Sequence, residues 1–162
     1  MDKALFSSVK MDWQTPESVL DLVRRVAPIV LDPCTSLENP TGAMSFFAYP
    51  ENSLCGLTER WHSCQNGIVF VNPPYGRALG AWAAKIVAEA QAGCEIIALV
   101  PARTDTKWFH LMADHMTSLL LWKGRLTFKG APAPAPFPSA LFYFGKRWER
   151  FAEVFSPYGI DI

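Results

Sequence analysis

The sequence predicts an α/β fold built on a mostly parallel sheet, with antiparallel strands added at one edge. Short apolar runs without alternation, such as residues 67–71 and 94–100, are typical of strands buried on both faces. Segments with helical spacing separate the earlier runs, which favours parallel pairing. The later runs follow one another without a long helix between them, so we expect them to pair antiparallel.

Each element is assigned from its apolar pattern and its end signals. The predicted strands are, in chain order, residues 29–31, 46–48, 67–71, 94–100, 117–122, 125–128 and 140–144. The predicted helices are residues 16–27, 78–92, 106–115 and 148–155. Thr15 is the predicted N-cap of the first helix, with Pro16 at its first helical position. Alternating prolines at residues 131–138 predict a stiff, extended loop.

Length and composition indicate one compact domain over residues 1–162. The chain is 50% hydrophobic, which is sufficient for a core that needs neither disulfides nor a metal. Basic and acidic side chains number 15 each, so we expect no binding to nucleic acid through bulk charge, whereas a local basic patch remains possible. No apolar run is long enough to span a membrane, and the first residues do not resemble a signal peptide, so we expect a cytoplasmic protein.

The cysteines and histidines do not form a metal-binding pattern. No CxxC pair occurs, and His62, His110 and His115 do not complete a zinc site, so we expect no metal. We expect the cysteines, including Cys64, to be mostly reduced packing residues. Cys34 follows a predicted strand, but no neighbouring residue would activate its thiol as a nucleophile.

The loop Asn72-Pro73-Pro74-Tyr75 carries the strongest chemical signal. It follows the buried run at residues 67–71, and its two prolines make it rigid and remove two N–H donors. It therefore presents carbonyl oxygens, the Asn72 side-chain oxygen and the flat face of Tyr75. Such a loop suits a planar group that bears an NH2, although the same residue types also occur in plain turns.

This chemistry is what methylation of an aromatic amine requires. The amine lone pair is delocalised into the ring and is a poor nucleophile. If the Asn72 oxygen and the Pro73 carbonyl accept the two amine hydrogens, the lone pair is localised on nitrogen, which can attack a sulfonium methyl in line. Tyr75 would stack on the base, and a base in a duplex would first have to be flipped out.

Together the motifs resemble the phage-encoded DNA adenine-N6 methyltransferases of the Dam type. The resemblance covers nearly the whole chain, in the family's order, and rests on the segments Trp13-Gln14-Thr15-Pro16, Leu31-Asp32-Pro33-Cys34, Phe70-Val71-Asn72-Pro73-Pro74-Tyr75-Gly76, Leu99-Val100-Pro101-Ala102-Arg103-Thr104, Gly124-Arg125-Leu126-Thr127-Phe128 and Pro138-Ser139-Ala140. It implies a trimmed Rossmann-like methyltransferase fold that uses S-adenosylmethionine to methylate the N6 amine of adenine in DNA.

The resemblance also implies roles for individual residues. The implied catalytic residues are Asn72, Pro73, Pro74 and Tyr75. The implied cofactor-binding residues are Trp13, Thr15, Pro16, Asp32, Pro33 and Cys34. Arg103 and Arg125 are implied DNA contacts, to phosphate or to bases. DNA is the implied partner; the sequence indicates no membrane and no obligatory protein partner.

The sequence departs from the common methyltransferase pattern after the first strand. No glycine-rich loop follows Asp32, and the first glycine beyond it is Gly42. The short interval before Asn72 leaves room for only one short strand, so we expect a trimmed sheet. Glu38, Glu51 and Glu59 remain equal candidates for the acid that would hold the cofactor ribose.

Other functions are compatible with the same residues. The same loop occurs in methyltransferases that act on cytosine N4 or on a protein glutamine, although cytosine-N4 enzymes more often have serine in place of Asn72. A non-catalytic nucleic-acid-binding module with this fold is a further alternative. Trp13 could be a core residue, Asp32-Pro33 a plain strand end, and Arg103 and Arg125 solvated surface residues.

Overall fold

The computed structural model describes residues 13–61 and 65–162. The predictions for residues 1–12, for His62 and for Cys64 lie outside these ranges. Within them, the strands are β1 Ile29–Asp32, β2 Ser45–Phe46, β3 Ile68–Val71, β4 Ile96–Pro101, β5 Ser118–Trp122, β6 Ser139–Phe144 and β7 Gly159–Asp161. The α-helices are α1 Glu17–Val26, α2 Leu79–Gln91, α3 Lys107–His115 and α4 Trp148–Phe155.

The strands form one sheet in the order β2-β1-β3-β4-β6-β5-β7. The first four strands in this order are parallel, whereas β6 is antiparallel to β4 and β5, and β7 is antiparallel to β5. The predicted fold class is therefore confirmed, with the antiparallel strands together on one side. Every residue of β1, β3, β4 and β6 is buried, which explains their continuous apolar runs.

The two strands that come after β1 in the sequence lie on opposite sides of it, which creates a switch point in the sheet. The chain first adds β2 on one side of β1 and then returns to place β3 on the other side. In open parallel sheets, ligands bind at such a point, outside the carboxyl ends of the strands. The helices pack in two pairs, α1 with α4 and α2 with α3, against the buried sheet.

The predicted start of the first helix was wrong by one residue. Pro16, not Thr15, is the N-cap, with extended φ and ψ of −60° and 142°. The Pro16 carbonyl accepts the first bonds of the helix from the backbone N–H groups of Val19 and Leu20. The Thr15 hydroxyl accepts a hydrogen bond from Asn72, and no side chain caps α1.

The predicted strand at residues 125–128 was also wrong. Leu126 and Phe128 are buried, but the Leu126 carbonyl accepts a bond from the Ala135 N–H within the same loop, so no ladder forms. The outer edge of β5 is covered instead by β7, which the sequence did not predict. The short strand predicted near residues 46–48 is confirmed as β2, one residue earlier, and α4 has the predicted bounds.

Two of the three cysteines that the structure describes are reduced. Cys34 and Cys55 are free thiols, whereas Cys94 is disulfide-bonded, contrary to the expectation for that residue.

Within the described ranges, no helix has the length and apolar character that crossing a membrane requires.

Gly56 packs closely against the loop that follows β1. A methyl group at Gly56 would lie 2.2 Å from the Pro33 carbonyl oxygen and 2.7 Å from the Trp82 ring. Only glycine therefore allows the segment at Gly56 to approach the chain directly after Asp32, at the switch point.

We expect Gly56→Ala to lower the free energy of unfolding by about 1–3 kcal/mol, because the added methyl group overpacks this contact. Gly80→Ala is the matched control, since nothing lies within 4 Å of a methyl group at Gly80 in α2. It should raise the free energy of unfolding by about 0.5–1 kcal/mol, as alanine favours helix. Urea unfolding measures both values, and equal stability of Gly56→Ala and the parent would contradict the packing of this loop.

Candidate active site

A cleft opens at the switch point, at the carboxyl ends of β1 and β3. It encloses about 110 Å³. One wall comes from β1 and the loop after it, and the other comes from β3 and the loop after it. The lining residues are Trp13, Gln14, Thr15, Asp32, Cys34, Thr35, Ser36, Pro40, Thr41, Phe70, Asn72, Pro73, Pro74 and Tyr75.

Asn72 follows β3 directly, and its side-chain amide nitrogen donates two hydrogen bonds. Its Nδ2 donates to the Trp13 carbonyl at 2.5 Å and to Thr15 Oγ1 at 3.2 Å. Its Oδ1 is buried and has no hydrogen-bond partner among the described residues. An unpaired buried acceptor costs about 1–3 kcal/mol, so its presence in the cleft wall points to a ligand that donates a hydrogen there.

Tyr75 is held by aromatic contacts rather than by its hydroxyl. The ring meets Phe137 edge-to-face, with centroids 5.4 Å apart, and lies 6.4 Å from Phe128. The hydroxyl lies 3.5 Å from the Leu99 carbonyl, which is too long for a strong bond. Burial raises the pKa of the Tyr75 phenol well above its ordinary value, so the side chain stays neutral and contributes its shape.

Asp32 ends β1 and organises the opposite wall. Its Oδ1 accepts from the Cys34 backbone N–H at 3.1 Å, and its Oδ2 accepts from Thr41 Oγ1 at 2.9 Å. The Asp32 backbone carbonyl also accepts from the N–H of Phe47 at 2.9 Å. Burial raises the pKa of Asp32 from 3.8 to about 6, and the bonds from Cys34, Thr41 and Thr35 lower it in part.

The structure brings most of the predicted site residues together. Trp13, Thr15, Asp32 and Cys34 all line the cleft with the Asn72 loop. Pro16 and Pro33 are their chain neighbours but do not line the cleft.

The two predicted DNA-contacting arginines lie outside the cleft lining. Arg103 follows β4 and Arg125 follows β5, and both are exposed. Because β4 and β5 are each antiparallel to β6, their carboxyl ends lie at the same sheet edge as the cleft.

Several residues in and around the cleft were not predicted from the sequence, and no acid was assigned to the cofactor ribose. Glu38, Glu51 and Glu59 do not line the cleft, so none of these three acids is brought to the site. Thr41 bonds the Asp32 carboxylate, but no local pattern in the sequence marks it. Phe137 contacts Tyr75, and its position within the stiff proline-rich loop is the one signal that could have indicated a fixed contact.

Comparison with known proteins agrees with this geometry. A family model described as DNA N-6-adenine-methyltransferase (Dam) matches residues 3–140, which include every residue that lines the cleft. No curated protein matches the chain.

The raised pKa of Asp32 makes a testable contribution to stability. The pKa of Asp32 is about 6 in the folded chain and 3.8 ordinarily. The stability associated with neutral Asp32 is therefore fully present below pH 3.8 and is lost as the pH rises through about 6. The cost of ionisation at high pH is on the order of 3 kcal/mol. Asp32→Asn cannot ionise, and its amide can still accept from Cys34 and donate to Thr41.

We therefore expect the parent to lose stability relative to Asp32→Asn by roughly 3 kcal/mol between about pH 4 and about pH 8. Urea unfolding at several pH values measures this difference. Asp114→Asn, at an exposed position on α3, is the control and should keep the pH dependence of the parent. Parallel stability curves for the parent and Asp32→Asn would contradict the raised pKa.

Proposed function

This chain belongs to the DNA N-6-adenine-methyltransferase (Dam) family, and we propose that it transfers a methyl group from S-adenosylmethionine to the N6 amine of adenine in DNA. The observation that carries the proposal is the Asn72 Oδ1 atom, a buried acceptor without a partner in the wall of the cleft. An exocyclic amine supplies the hydrogen that this atom lacks.

The Asn72 loop has two acceptors for the two amine hydrogens. Asn72 Oδ1 accepts one, and the carbonyl of Pro73, which also lines the cleft, accepts the other. Both hydrogen bonds draw the nitrogen towards tetrahedral geometry and localise its lone pair. Because Pro73 and Pro74 fix the backbone, these acceptors are preorganised and need no rearrangement during the reaction. Tyr75 bounds the same space with a neutral ring.

The opposite wall suits the proposed cofactor in polarity. The Asp32 carboxylate is available for a cationic group above a pH of about 6, and the hydroxyls of Thr35, Ser36 and Thr41 line the same wall. We propose that Asp32, with Cys34 beside it and Trp13 and Thr15 across the cleft, holds the cofactor, with Pro16 and Pro33 shaping the chain around them. When bound, S-adenosylmethionine supplies an electrophilic methyl group on a sulfonium.

DNA would approach along the carboxyl edge of the sheet. A paired adenine cannot enter the cleft, so it must be flipped out of the duplex. Arg103 and Arg125 are exposed at this edge and carry the charge for phosphate contacts. The chain has no net charge, so its affinity for DNA would depend on local contacts such as these.

The reaction can be tested by label transfer. The purified protein is incubated with methyl-labelled S-adenosylmethionine and unmethylated DNA, and the DNA is digested to nucleosides. We expect label in N6-methyldeoxyadenosine. Asn72→Ala should lower the rate by roughly 100-fold or more, because the amine then loses a preorganised partner. Gln91→Ala removes an exposed side-chain amide at the end of α2, away from the cleft, and should match the parent.

Other results of this experiment identify other functions. Label in N4-methylcytosine would keep the chemistry and overturn the proposed base. Absence of label on single- and double-stranded DNA would overturn the proposal, and a binding assay with S-adenosylmethionine would then separate a protein methyltransferase from a non-catalytic module.

The role of the two arginines can be tested through salt dependence. We expect Arg103→Ala and Arg125→Ala each to weaken DNA binding across sequences and to reduce the slope of log affinity against log salt by about 1. Arg25→Ala, in the last turn of α1 at the opposite sheet edge, should leave that slope unchanged. Fluorescence anisotropy over a range of salt concentrations measures the slopes, and unchanged slopes for Arg103→Ala and Arg125→Ala would exclude phosphate contacts.

A further inference from the structure

Residues 13–15 form a short strap that crosses the carboxyl end of β3. The strap meets Asn72 at two points, through the Trp13 carbonyl oxygen and the Thr15 hydroxyl. Both points contact Nδ2, the nitrogen of the side-chain amide. Thr15 is only 8% exposed, so water competes little for its hydroxyl.

The strap distinguishes the two ends of the Asn72 amide. A backbone carbonyl can only accept hydrogen bonds, so the Trp13 oxygen at 2.5 Å requires a nitrogen opposite it. If the amide rotated by half a turn, Oδ1 would face the Trp13 oxygen, and two acceptors would repel each other. The nitrogen would then face the target amine, and two donors would oppose each other there.

The strap is itself fixed by a distant part of the chain. The Lys129 N–H donates to the Gln14 carbonyl at 2.9 Å, in an isolated antiparallel bridge. The Trp13 ring meets Phe128 and Phe137 edge-to-face, with centroids 5.3 Å and 5.2 Å apart. Phe137 lies in the proline-rich loop, so a stiff segment supports the strap from outside.

We infer that the strap is a positioning device for the reaction, in which the Thr15 hydroxyl and the Trp13 carbonyl hold the Asn72 amide so that Oδ1 faces the target amine. This inference rests on the proposed function. It gives Thr15 a role that acts through Asn72, in addition to any contact with the cofactor. Thr15 is thus a positioning residue and Asn72 the residue that touches the substrate.

The test compares variants that remove one hydroxyl each from the cleft. Thr15→Val removes the acceptor for Nδ2 and keeps the side-chain shape. Thr15→Ser restores the hydroxyl. Thr41→Val is the matched control, because the Thr41 hydroxyl lines the same cleft but bonds Asp32 instead of Asn72. Phe137→Leu loosens the support of Trp13 without touching Thr15 and gives a second route to the same effect if Thr15→Val fails to fold.

The first readout is hydrogen exchange of the Asn72 side-chain amide, followed by NMR and assigned by the loss of its signals in Asn72→Ala. This readout needs no turnover. We expect slow exchange in the parent, in Thr15→Ser and in Thr41→Val. Exchange should be roughly tenfold faster in Thr15→Val, which loses one hydrogen bond, and faster also in Phe137→Leu.

The second readout separates kcat from KM in the methylation assay. Thr15→Val should lower kcat roughly tenfold and leave the KM for S-adenosylmethionine within about twofold, and Thr15→Ser should recover kcat. Unchanged Asn72 exchange in Thr15→Val, with a raised KM for S-adenosylmethionine, would overturn the inference and leave Thr15 as a cofactor contact. The same kcat loss in Thr15→Ser as in Thr15→Val would also overturn it. If the parent does not methylate DNA, the proposed function fails, while the exchange measurement still decides whether the strap orients Asn72.

Discussion

The hydrogen bonds from Asn72 Nδ2 to the strap are the contacts on which the site depends. They join residues up to 59 positions apart in the sequence and connect two separate parts of the chain, the strap and the loop after β3. The aromatic contacts of Trp13 fix the strap, and the two prolines fix the loop after β3. The proline-rich loop contacts both through Phe137. Loss of any of these contacts would leave the orientation of the Asn72 amide less restricted.

The site carries two unfavourable features that the rest of the fold must offset. Asn72 Oδ1 is a buried acceptor without a partner, and Asp32 is a carboxyl whose burial raises its pKa to about 6. The unpaired oxygen costs stability at every pH, and the buried carboxyl costs stability above a pH of about 6, where it is ionised. Both lie at the switch point, where an apolar sheet buried on both faces supplies the compensating stability. Local costs of this kind are expected where a protein binds a ligand rather than where it only packs.

The central strands could be predicted from the sequence because burial on both faces leaves a continuous apolar run. An apolar run does not predict a strand at the sheet edge, where pairing depends on tertiary contacts. Residues 125–128 alternate polar and apolar side chains, as a strand with one buried face does, but bond within their loop, and β7 takes the edge of β5 instead. Asp32 and Asn72 could be predicted because Asp32 is the last residue of one buried strand and Asn72 directly follows another. Thr41 and the contact of Thr15 with Asn72 could not, since only the folded loops bring these hydroxyls to their partners.

The proline-rich loop explains how a small chain with balanced charge can hold a precise site. Prolines restrict the unfolded loop, so fixing Phe137 against Trp13 and Tyr75 costs less conformational entropy than it would in a flexible loop. The loop also lies at the sheet edge along which we propose that DNA approaches, between β5 and β6.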